Sequence, residues 1–259
     1  MSAVSVEIDG GVGRISLTSP QDGNAIDTAF CDSLLDAAEQ LGDDDAVRVV
    51  LISSQGRNFC VGANVKMFAG VAWQDFGDLV RTMTDTLHPA VERLASMPKP
   101  VVTLVQGNAA GAGMGLGLLG DICIVTPETR FTAAYPAIGL SPDGGLSYVL
   151  PRLVGMRRAQ EILILEQSVG GDEAVRIGLA TRMVNADELS EAGLALAAGL
   201  AQRPTRALGR AKELLLRTYR AEIRDQLDLE AALIAQCAGE PHASEGVTAF
   251  AERRKAVFA

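Results

Sequence analysis

The chain has 259 residues, close to the size at which one hydrophobic core stops growing, so we expect one domain with an appended segment. Its net charge of −9 and sequence pI of about 4.8 disfavour nucleic acids and anionic membranes as main partners. No apolar stretch reaches the length of about 18 residues that a membrane span needs, and the N-terminus lacks the pattern of an export signal. The four cysteines are too scattered for a zinc site. We therefore expect a cytoplasmic protein without a metal ion.

Apolar and polar residues alternate at the start of the chain, as is typical of strands with one buried face. Asp9-Gly10-Gly11 separates two such stretches, which predicts a β-hairpin. The next apolar residues have helical spacing, and a short apolar run after them indicates a buried strand. The elements predicted for this part are strands over 3–8 and 12–18, a helix over 25–41, a strand over 47–54 and a short helix over 63–69.

Residues 76–97 carry apolar side chains at helical spacing, with Pro89 inside the stripe. Proline lacks the N–H that a helix needs and clashes with the preceding turn, so we expect the helix to kink or to restart just after His88. His88 would then lie at a deformed point beside the apolar stripe. Its simplest role is that of a half-buried helix residue.

A glycine-rich junction, GNAAGAGMGLG over 107–117, follows a buried strand predicted over 100–106. A strand that passes through glycines into a helix leaves the first N–H groups of the helix unpaired and directed at a cleft. Small side chains also let a ligand approach the backbone closely. We therefore predict an oxyanion hole with the Ala112 amide as one donor, and the similar strand-loop-helix junction before 63–69 makes the Ala63 amide the candidate second donor.

Two other interpretations of the glycines remain open. Small residues in this stretch are also explained by tight helix packing alone. The spacing of Gly115, Gly117 and Gly120 fits a dinucleotide fingerprint, but that motif must open a helix directly after a strand, whereas here it falls inside the predicted helix.

The second part of the chain changes from mixed to helical patterns. A strand is predicted over 122–125, and the turn Ser141-Pro142-Asp143-Gly144-Gly145 precedes two helices. From Asp172 onward the pattern is purely helical. The change predicts an α/β core over 1–195 and a helical segment over 196–259. The helices predicted in this part cover 146–153, 156–165, 172–179, 187–202, 205–217, 221–238 and 244–256.

Several runs together resemble the crotonase, or enoyl-CoA hydratase/isomerase, superfamily. They are NAI (24–26), GRNFCVGANVKMF (56–68), PKPVVTLVQGNAAGAG (98–113), GDICIV (120–125), IGLSPDGGLSYVLPRLVG (138–155) and EGVTAFAERR (245–254). They extend over nearly the whole chain and include both candidate oxyanion segments in order. The resemblance is specific for the family and not for one reaction.

The resemblance implies an α/β fold built as a spiral of ββα units, with a helical C-terminal segment that forms a homotrimer or homohexamer. It also implies an acyl-CoA thioester as substrate and no separate cofactor. By position, the contacts to coenzyme A fall on Ala25, Val61, Asn64, Val65 and Lys66 and, from a neighbouring subunit, on Phe250 and Arg253. The family often has an aspartate at the position of Asn64 and a basic residue at that of Gly23, so the nucleotide contacts differ here.

Hydration of an enoyl-CoA needs two positioned acid/base groups. Similar hydratases use two glutamates, whose positions here hold Gly115 and Tyr135, so hydration in fatty-acid oxidation is disfavoured. Asp143 coincides with the acid of similar enoyl-CoA isomerases, including isomerases of ring epoxides in phenylacetate breakdown. One carboxylate suffices to move a double bond, so the resemblance implies an isomerase with Asp143 as acid/base and with Tyr135 beside it.

Three further interpretations of these residues are kept. In aryl-CoA dehalogenases, which the chain also resembles, a nucleophilic aspartate stands at the position of Asp143 and a base at that of His88, although Tyr135 replaces an indole of those enzymes. A non-catalytic acyl-CoA-binding member is the second possibility. In the third, Asp143 is only a turn residue, because Pro-Asp-Gly-Gly is ordinary turn chemistry.

Overall fold

A six-stranded sheet and a three-stranded sheet form the centre of the computed structural model, which describes residues 3–258. The strands are β1 (Val4–Asp9), β2 (Val12–Leu17), β3 (Val49–Ser54), β4 (Val101–Val105), β5 (Asn108–Ala110), β6 (Ile122–Val125), β7 (Arg130–Thr132), β8 (Val169–Gly170) and β9 (Arg182–Met183). The larger sheet has the order β1-β2-β3-β4-β6-β9 and the smaller one β5-β7-β8. In the larger sheet every neighbouring pair after β1 and β2 is parallel.

Helices provide the crossovers that parallel strands require. They are α1 (Thr28–Asp43), α2 (Val65–Ala69), α3 (Trp73–Ser96), α4 (Ala112–Leu118), α5 (Leu146–Ile164), α6 (Gly171–Arg176), α7 (Leu189–Ala201), α8 (Thr205–Arg217), α9 (Ile223–Ala238) and α10 (Pro241–Ala251). The mixed α/β class predicted from the sequence is therefore confirmed.

The N-terminal hairpin has the predicted form. β1 and β2 pair antiparallel, and Gly10 and Gly11 turn the chain with φ of 55° and 82°, a region that glycine adopts at little cost. The following helix begins three residues later than the pattern predicts, because Asp27 acts as its N-cap and accepts a hydrogen bond from the Phe30 N–H at 2.8 Å.

Of the two effects predicted for Pro89, a restart of the helix after His88 does not occur. α3 runs without interruption from Trp73 to Ser96 with Pro89 inside it. Pro89 lies on the exposed side, where water can satisfy the carbonyl that loses its partner, while Met83, Leu87 and Leu94 hold the opposite side in the core. In α5, by contrast, Gly155 has non-helical dihedrals, which confirms the predicted break between two helices.

The expectation of purely helical structure after Asp172 is also wrong. β9 pairs with β6, with Ile124 opposite Arg182. The three strands of the smaller sheet escaped prediction as well, since each has only two or three residues and is too short to show an alternating pattern. Pairing with neighbouring strands, rather than local preference, forms these elements.

Apolar residues fill both faces of the larger sheet. The main core lies on the side of α1, α3 and α4, and a second cluster lies under α7, whose Leu189, Ala197 and Ala201 cover Leu51 and Leu104 of the sheet. The predicted division after residue 195 falls within α7. The role of the C-terminal helices in assembly stays a prediction.

A buried ion pair attaches α8 to the core. Lys212 Nζ lies 3.0 Å from Asp121 Oδ2, which also accepts a hydrogen bond from the Val101 N–H at 2.7 Å. Burial lowers the pKa of Lys212 and raises that of Asp121, while their mutual attraction opposes both shifts. Among the helices of residues 3–258, none is both long and apolar enough to cross a bilayer.

Candidate active site

A cavity of 480 Å³ lies between α3, the start of α4 and the loop that precedes α5. Apolar side chains form most of its wall, and one carboxylate, Asp143, belongs to it. The side of the cavity formed by α2 and α3 is lined by Phe68, Val80, Met83, Thr84 and Leu87. A cavity of this size and character suits a small acyl or aryl group.

Two backbone segments meet at one wall of this cavity. A Cβ on Gly62 would lie 2.7 Å from the Ala110 carbonyl oxygen and 3.6 Å from the Gly111 Cα. Only glycine permits so close an approach, and Gly62 also has a φ of 85°. Ala63 and Ala112, which follow these two glycines, both line the cavity.

The strand pairing around Ala63 leaves its amide unused. Ile26 donates to the Gly62 carbonyl at 2.8 Å, and the Asn64 N–H donates to the Ile26 carbonyl at 2.8 Å. The Ala63 N–H lies between these two bonds and has no acceptor among the described residues. It is therefore available to a ligand in the cavity.

The Ala112 amide is free for a different reason. Ala112 is the first residue of α4, so its N–H has no acceptor within the helix. Gly111, with φ of 53° and ψ of −130°, turns the chain from β5 into α4, and its own N–H donates to the Thr132 carbonyl at 3.0 Å. The structure thus brings both predicted amide donors to the same cavity.

Asp143 is held in the cavity wall by Tyr135. The Tyr135 hydroxyl donates to Asp143 Oδ1 at 2.6 Å, a short bond of the kind that charged acceptors make. Tyr135 is only 7% exposed. Burial, followed by the negative charge of Asp143 and this hydrogen bond, raises the pKa of Tyr135. The phenol therefore remains a proton donor to the carboxylate over the whole neutral range.

His88 faces the other oxygen of the same carboxylate. Its Nε2 lies 3.8 Å from Asp143 Oδ2, and its side chain is 51% exposed. Val80, Thr84 and Leu87 of α3 line the cavity, and His88, one turn after Thr84, continues their side of the helix to the rim. The structure therefore brings three predicted residues, His88, Tyr135 and Asp143, into one cluster.

The Gly115 position lies in the interior, against the loop that carries Asp143. A Cβ on Gly115 would be 2.5 Å from the Gly144 carbonyl oxygen, closer than real Cβ atoms approach. Because the obstacle is backbone, a larger side chain cannot be accommodated by rotating a neighbour. The position that holds a glutamate in similar hydratases is thus closed in this chain.

Of the residues predicted to contact coenzyme A, Val61 and Val65 line the cavity. The Val61 N–H donates to the Gly23 carbonyl at 3.1 Å, which ties the loop of Ala25 to that of Val61. Asn64 is the N-cap of α2, and its side chain accepts from the Met67 N–H at 3.3 Å. Val65 and Lys66 in α2 are exposed.

Asn24 is a structural residue that the sequence interpretation missed. It is buried with a φ of 56°, and its Nδ2 donates to the carbonyls of Gln55 and Asn58, both at 3.0 Å. These bonds fix the loop beside Ala25. The signal available in the sequence was an asparagine after glycine, a type that tolerates positive φ.

Phe250 and Arg253 do not reach this cavity in the single chain. Phe250 lies in α10 with 88% of its surface exposed, and Arg253 follows the end of that helix with a φ of 55°. Neither residue lines the cavity. Their predicted contacts with coenzyme A, which require a neighbouring subunit, stay a prediction.

Comparison with known proteins identifies relatives along the whole chain. Residues 7–259 match the model of the family described as enoyl-CoA hydratase/isomerase. The 1,2-epoxyphenylacetyl-CoA isomerase of Escherichia coli K12 is 31% identical over 258 residues, which cover 100% of this chain and 98% of that protein. The 4-chlorobenzoyl coenzyme A dehalogenase-2 of an Arthrobacter species is 29% identical, over 95% of this chain and 90% of its own.

A solved structure assigned to the enoyl-CoA hydratase/isomerases, from Mycobacterium abscessus, superimposes with a TM-score of 0.95. The two chains are 34% identical, and the match covers 99% of each. The predicted crotonase fold is therefore confirmed. The relatives differ in the reaction they are named for, although they share one architecture.

Proposed function

Because the chain belongs to the enoyl-CoA hydratase/isomerase family, we propose that it moves a double bond within an enoyl-CoA thioester. The observation that carries this proposal is the single carboxylate, Asp143, in the wall of an apolar cavity that also contains two unpaired backbone amides. A double-bond shift needs one group that removes a proton and returns it, together with donors for the enolate oxygen.

In the proposed reaction, Asp143 removes a proton from C2 of a 3-enoyl-CoA. The electron pair of the broken C–H bond enters a dienolate, whose oxygen accepts hydrogen bonds from the N–H groups of Ala63 and Ala112. The protonated Asp143 then returns the proton at C4, which leaves the double bond between C2 and C3. The hydrogen bond from Tyr135 to Oδ1 holds the carboxylate in position for both steps.

Hydration fits these residues less well. Adding water requires a second acid/base group, and neither Gly115 nor Tyr135 provides a carboxylate. The close approach of Gly144 to Gly115 means that no larger side chain fits at that position. A fatty-acid hydratase is therefore the weaker alternative.

For substrate binding, we propose that the loops at Ala25 and Val61 and the start of α2, with Asn64, Val65 and Lys66, hold the coenzyme A part of the thioester. Phe250 and Arg253 complete this site from a neighbouring subunit, in a homotrimer or homohexamer formed by residues 196–259. Support for a subunit contact comes from the exposure of Phe250, which is extreme for a phenylalanine.

A second candidate function rests on His88. A histidine 3.8 Å from the Asp143 carboxylate suits an aryl-CoA dehalogenase, in which the aspartate attacks the ring and the histidine activates water. The 29% identity with the Arthrobacter dehalogenase supports the same alternative. A non-catalytic acyl-CoA-binding protein would need neither the free amides nor the buried Tyr135–Asp143 bond.

The decisive experiment compares wild type, Asp143→Asn and the matched control Asp187→Asn with a 3-enoyl-CoA, with crotonyl-CoA and with 4-chlorobenzoyl-CoA. Asp187 is exposed and lies outside the cavity. We expect wild type and the control to convert the 3-enoyl-CoA, and Asp143→Asn to be slower by about 10² to 10⁴, the usual contribution of a positioned acid/base group.

Each other outcome selects a different function. Full isomerase activity in Asp143→Asn would refute the assigned acid. Efficient hydration of crotonyl-CoA would favour the hydratase alternative. Release of chloride from the aryl thioester, without isomerisation, would favour the dehalogenase alternative, and tight binding without turnover would favour a non-catalytic protein.

A further inference from the structure

The two oxygens of the Asp143 carboxylate have unequal surroundings. Oδ1 accepts a 2.6 Å hydrogen bond from the Tyr135 hydroxyl, and Tyr135 is buried. Within residues 3–258, Oδ2 has no such donor and instead lies 3.8 Å from His88 Nε2. The Asp143 backbone carbonyl also faces the Tyr135 hydroxyl, at 3.2 Å, so the phenol is fixed on the Oδ1 side.

This asymmetry decides which oxygen can hold a substrate proton. The raised pKa of Tyr135 keeps its proton on the phenol, so Oδ1 already accepts one hydrogen bond. A proton taken from the substrate is therefore received by Oδ2. That oxygen is the one that faces the imidazole.

His88 lies between this oxygen and the solvent. Its side chain is 51% exposed, whereas that of Asp143 is 29% exposed. An imidazole has two ring nitrogens, and one can accept a proton while the other donates one. A gap of 3.8 Å is closed by a small side-chain rotation or by one bridging water molecule.

We propose that His88 is a proton-exchange residue, through which the proton that Asp143 removes from the substrate is replaced by one from solvent before it is returned at C4. This proposal rests on the proposed isomerase function and deepens it. Asp143 alone would carry the same proton from C2 to C4. With His88 present, exchange of the Asp143 proton with solvent competes with its transfer to C4.

The exchange is balanced in every step. Protonated Asp143 transfers the proton from Oδ2 to His88 Nε2, which gives a carboxylate and an imidazolium. The imidazolium releases its Nε2 proton to water and takes up a solvent proton at the same nitrogen, and this solvent proton is then transferred to Oδ2. No bond of the dienolate changes in this cycle, and its charge stays the same throughout.

The test is isomerisation of a 3-enoyl-CoA in heavy water, with deuterium measured at C4 of the product by NMR or mass spectrometry. The variant is His88→Gln, which keeps a polar helix residue but cannot relay a proton. The matched control is Glu92→Gln, one turn further along α3 and also exposed. Circular dichroism and thermal unfolding verify that both variants are folded.

We expect the exchange to become about 100-fold slower in His88→Gln, the lower end of what a positioned proton-transfer group contributes. Deuterium at C4, measured per molecule of product formed, should then fall to a small fraction of the wild-type amount. Equal deuterium in wild type and His88→Gln would overturn the proposal, as would a wild type that transfers the substrate proton without any label. A wild type that forms no product at all would instead refute the isomerase function.

Discussion

The two walls of the cavity are built by different means. One wall presents the backbone amides of Ala63 and Ala112, and the other presents the side chains of Tyr135 and Asp143, with His88 next to Asp143. The amides are positioned by backbone pairing, such as the bridge between Ile26 and Ala63.

This difference affects how easily the chemistry of each wall can change by substitution. Backbone donors persist through many side-chain substitutions, provided that the glycines which allow close approach are kept. The acidic wall depends on individual side chains, and single substitutions change its chemistry. Relatives named as an isomerase and as a dehalogenase, at 31% and 29% identity, are consistent with a constant amide wall and a variable acidic wall.

Apart from the loss of Asp143 itself, the largest expected effect comes from breaking the amide wall with Ala112→Pro. Ala112 is the first residue of α4, where proline is tolerated because the N–H has no helical partner. The substitution removes the donor and places ring atoms where the enolate oxygen would bind. Loss of one such donor costs about 2.7–4 kcal/mol, so kcat for the 3-enoyl-CoA should fall by about 10² to 10³ or more.

A proline at the first position of another helix provides the matched control. Thr28→Pro lies at the start of α1, is exposed and is not part of the cavity wall. It should retain wild-type kcat and a similar midpoint of unfolding. Wild-type kcat in Ala112→Pro, measured in the same assay, would show that the Ala112 amide has no catalytic role.

A smaller effect is expected when the acidic wall is weakened with Tyr135→Phe. The change removes the 2.6 Å hydrogen bond to Asp143 Oδ1. A bond to a charged group contributes about 1.5–3 kcal/mol, so kcat/KM should fall by about 10-fold to 100-fold. Tyr148→Phe, at a surface tyrosine outside the cavity wall, is the control and should behave as wild type.

The raised pKa of Tyr135 also predicts how stability changes with pH. Above the ordinary tyrosine pKa of about 10, the unfolded chain loses the phenol proton while the folded chain keeps it. The folded state is therefore disfavoured as the pH rises, and Tyr135→Phe should remove this part of the loss. Unfolding in denaturant at pH 8 and pH 10.5 measures it, and the same pH dependence in both proteins would contradict it.

Local patterns in the sequence predicted the hairpin, most helices and the break at Gly155, because these elements depend on alternation, on helical spacing and on turn residues. The predicted restart at Pro89 does not occur. A buried stripe of four apolar residues supports the helix on both sides of the proline, which faces water. β5, β7 and β8 form through pairing between distant segments. They could not be predicted, because two or three residues are too few to show an alternating pattern.

The amides of Ala63 and Ala112 could be predicted because glycine spacing indicates where a backbone is approached. The hydrogen bond from Tyr135 to Asp143 could not, since it depends on the angle between the loop before α5 and the turn after β7. The contact between Gly115 and Gly144 could not be predicted from the sequence either. It gives a physical reason for the glycine at position 115, since a Cβ there would meet the Gly144 carbonyl oxygen.

Gly115→Ala tests whether the contact between α4 and the loop of Asp143 joins the two walls. It has the smallest expected effect on turnover. Its Cβ would meet the Gly144 carbonyl oxygen at 2.5 Å and must push the loop of Asp143 away from α4. Overpacking of this kind costs about 1–3 kcal/mol of stability, which exceeds the stability gained from the higher helix propensity of alanine. Displacement of Asp143 should also reduce kcat.

Gly117→Ala is the matched control in the same short helix. Its Cβ would meet the side chain of Val105 at 3.2 Å, which can rotate or shift, rather than a backbone oxygen. Both variants gain the same helix propensity, so their difference in unfolding free energy and in kcat isolates the contact with Gly144. If the two variants match in both quantities, the loop of Asp143 is not held in place by its contact with α4.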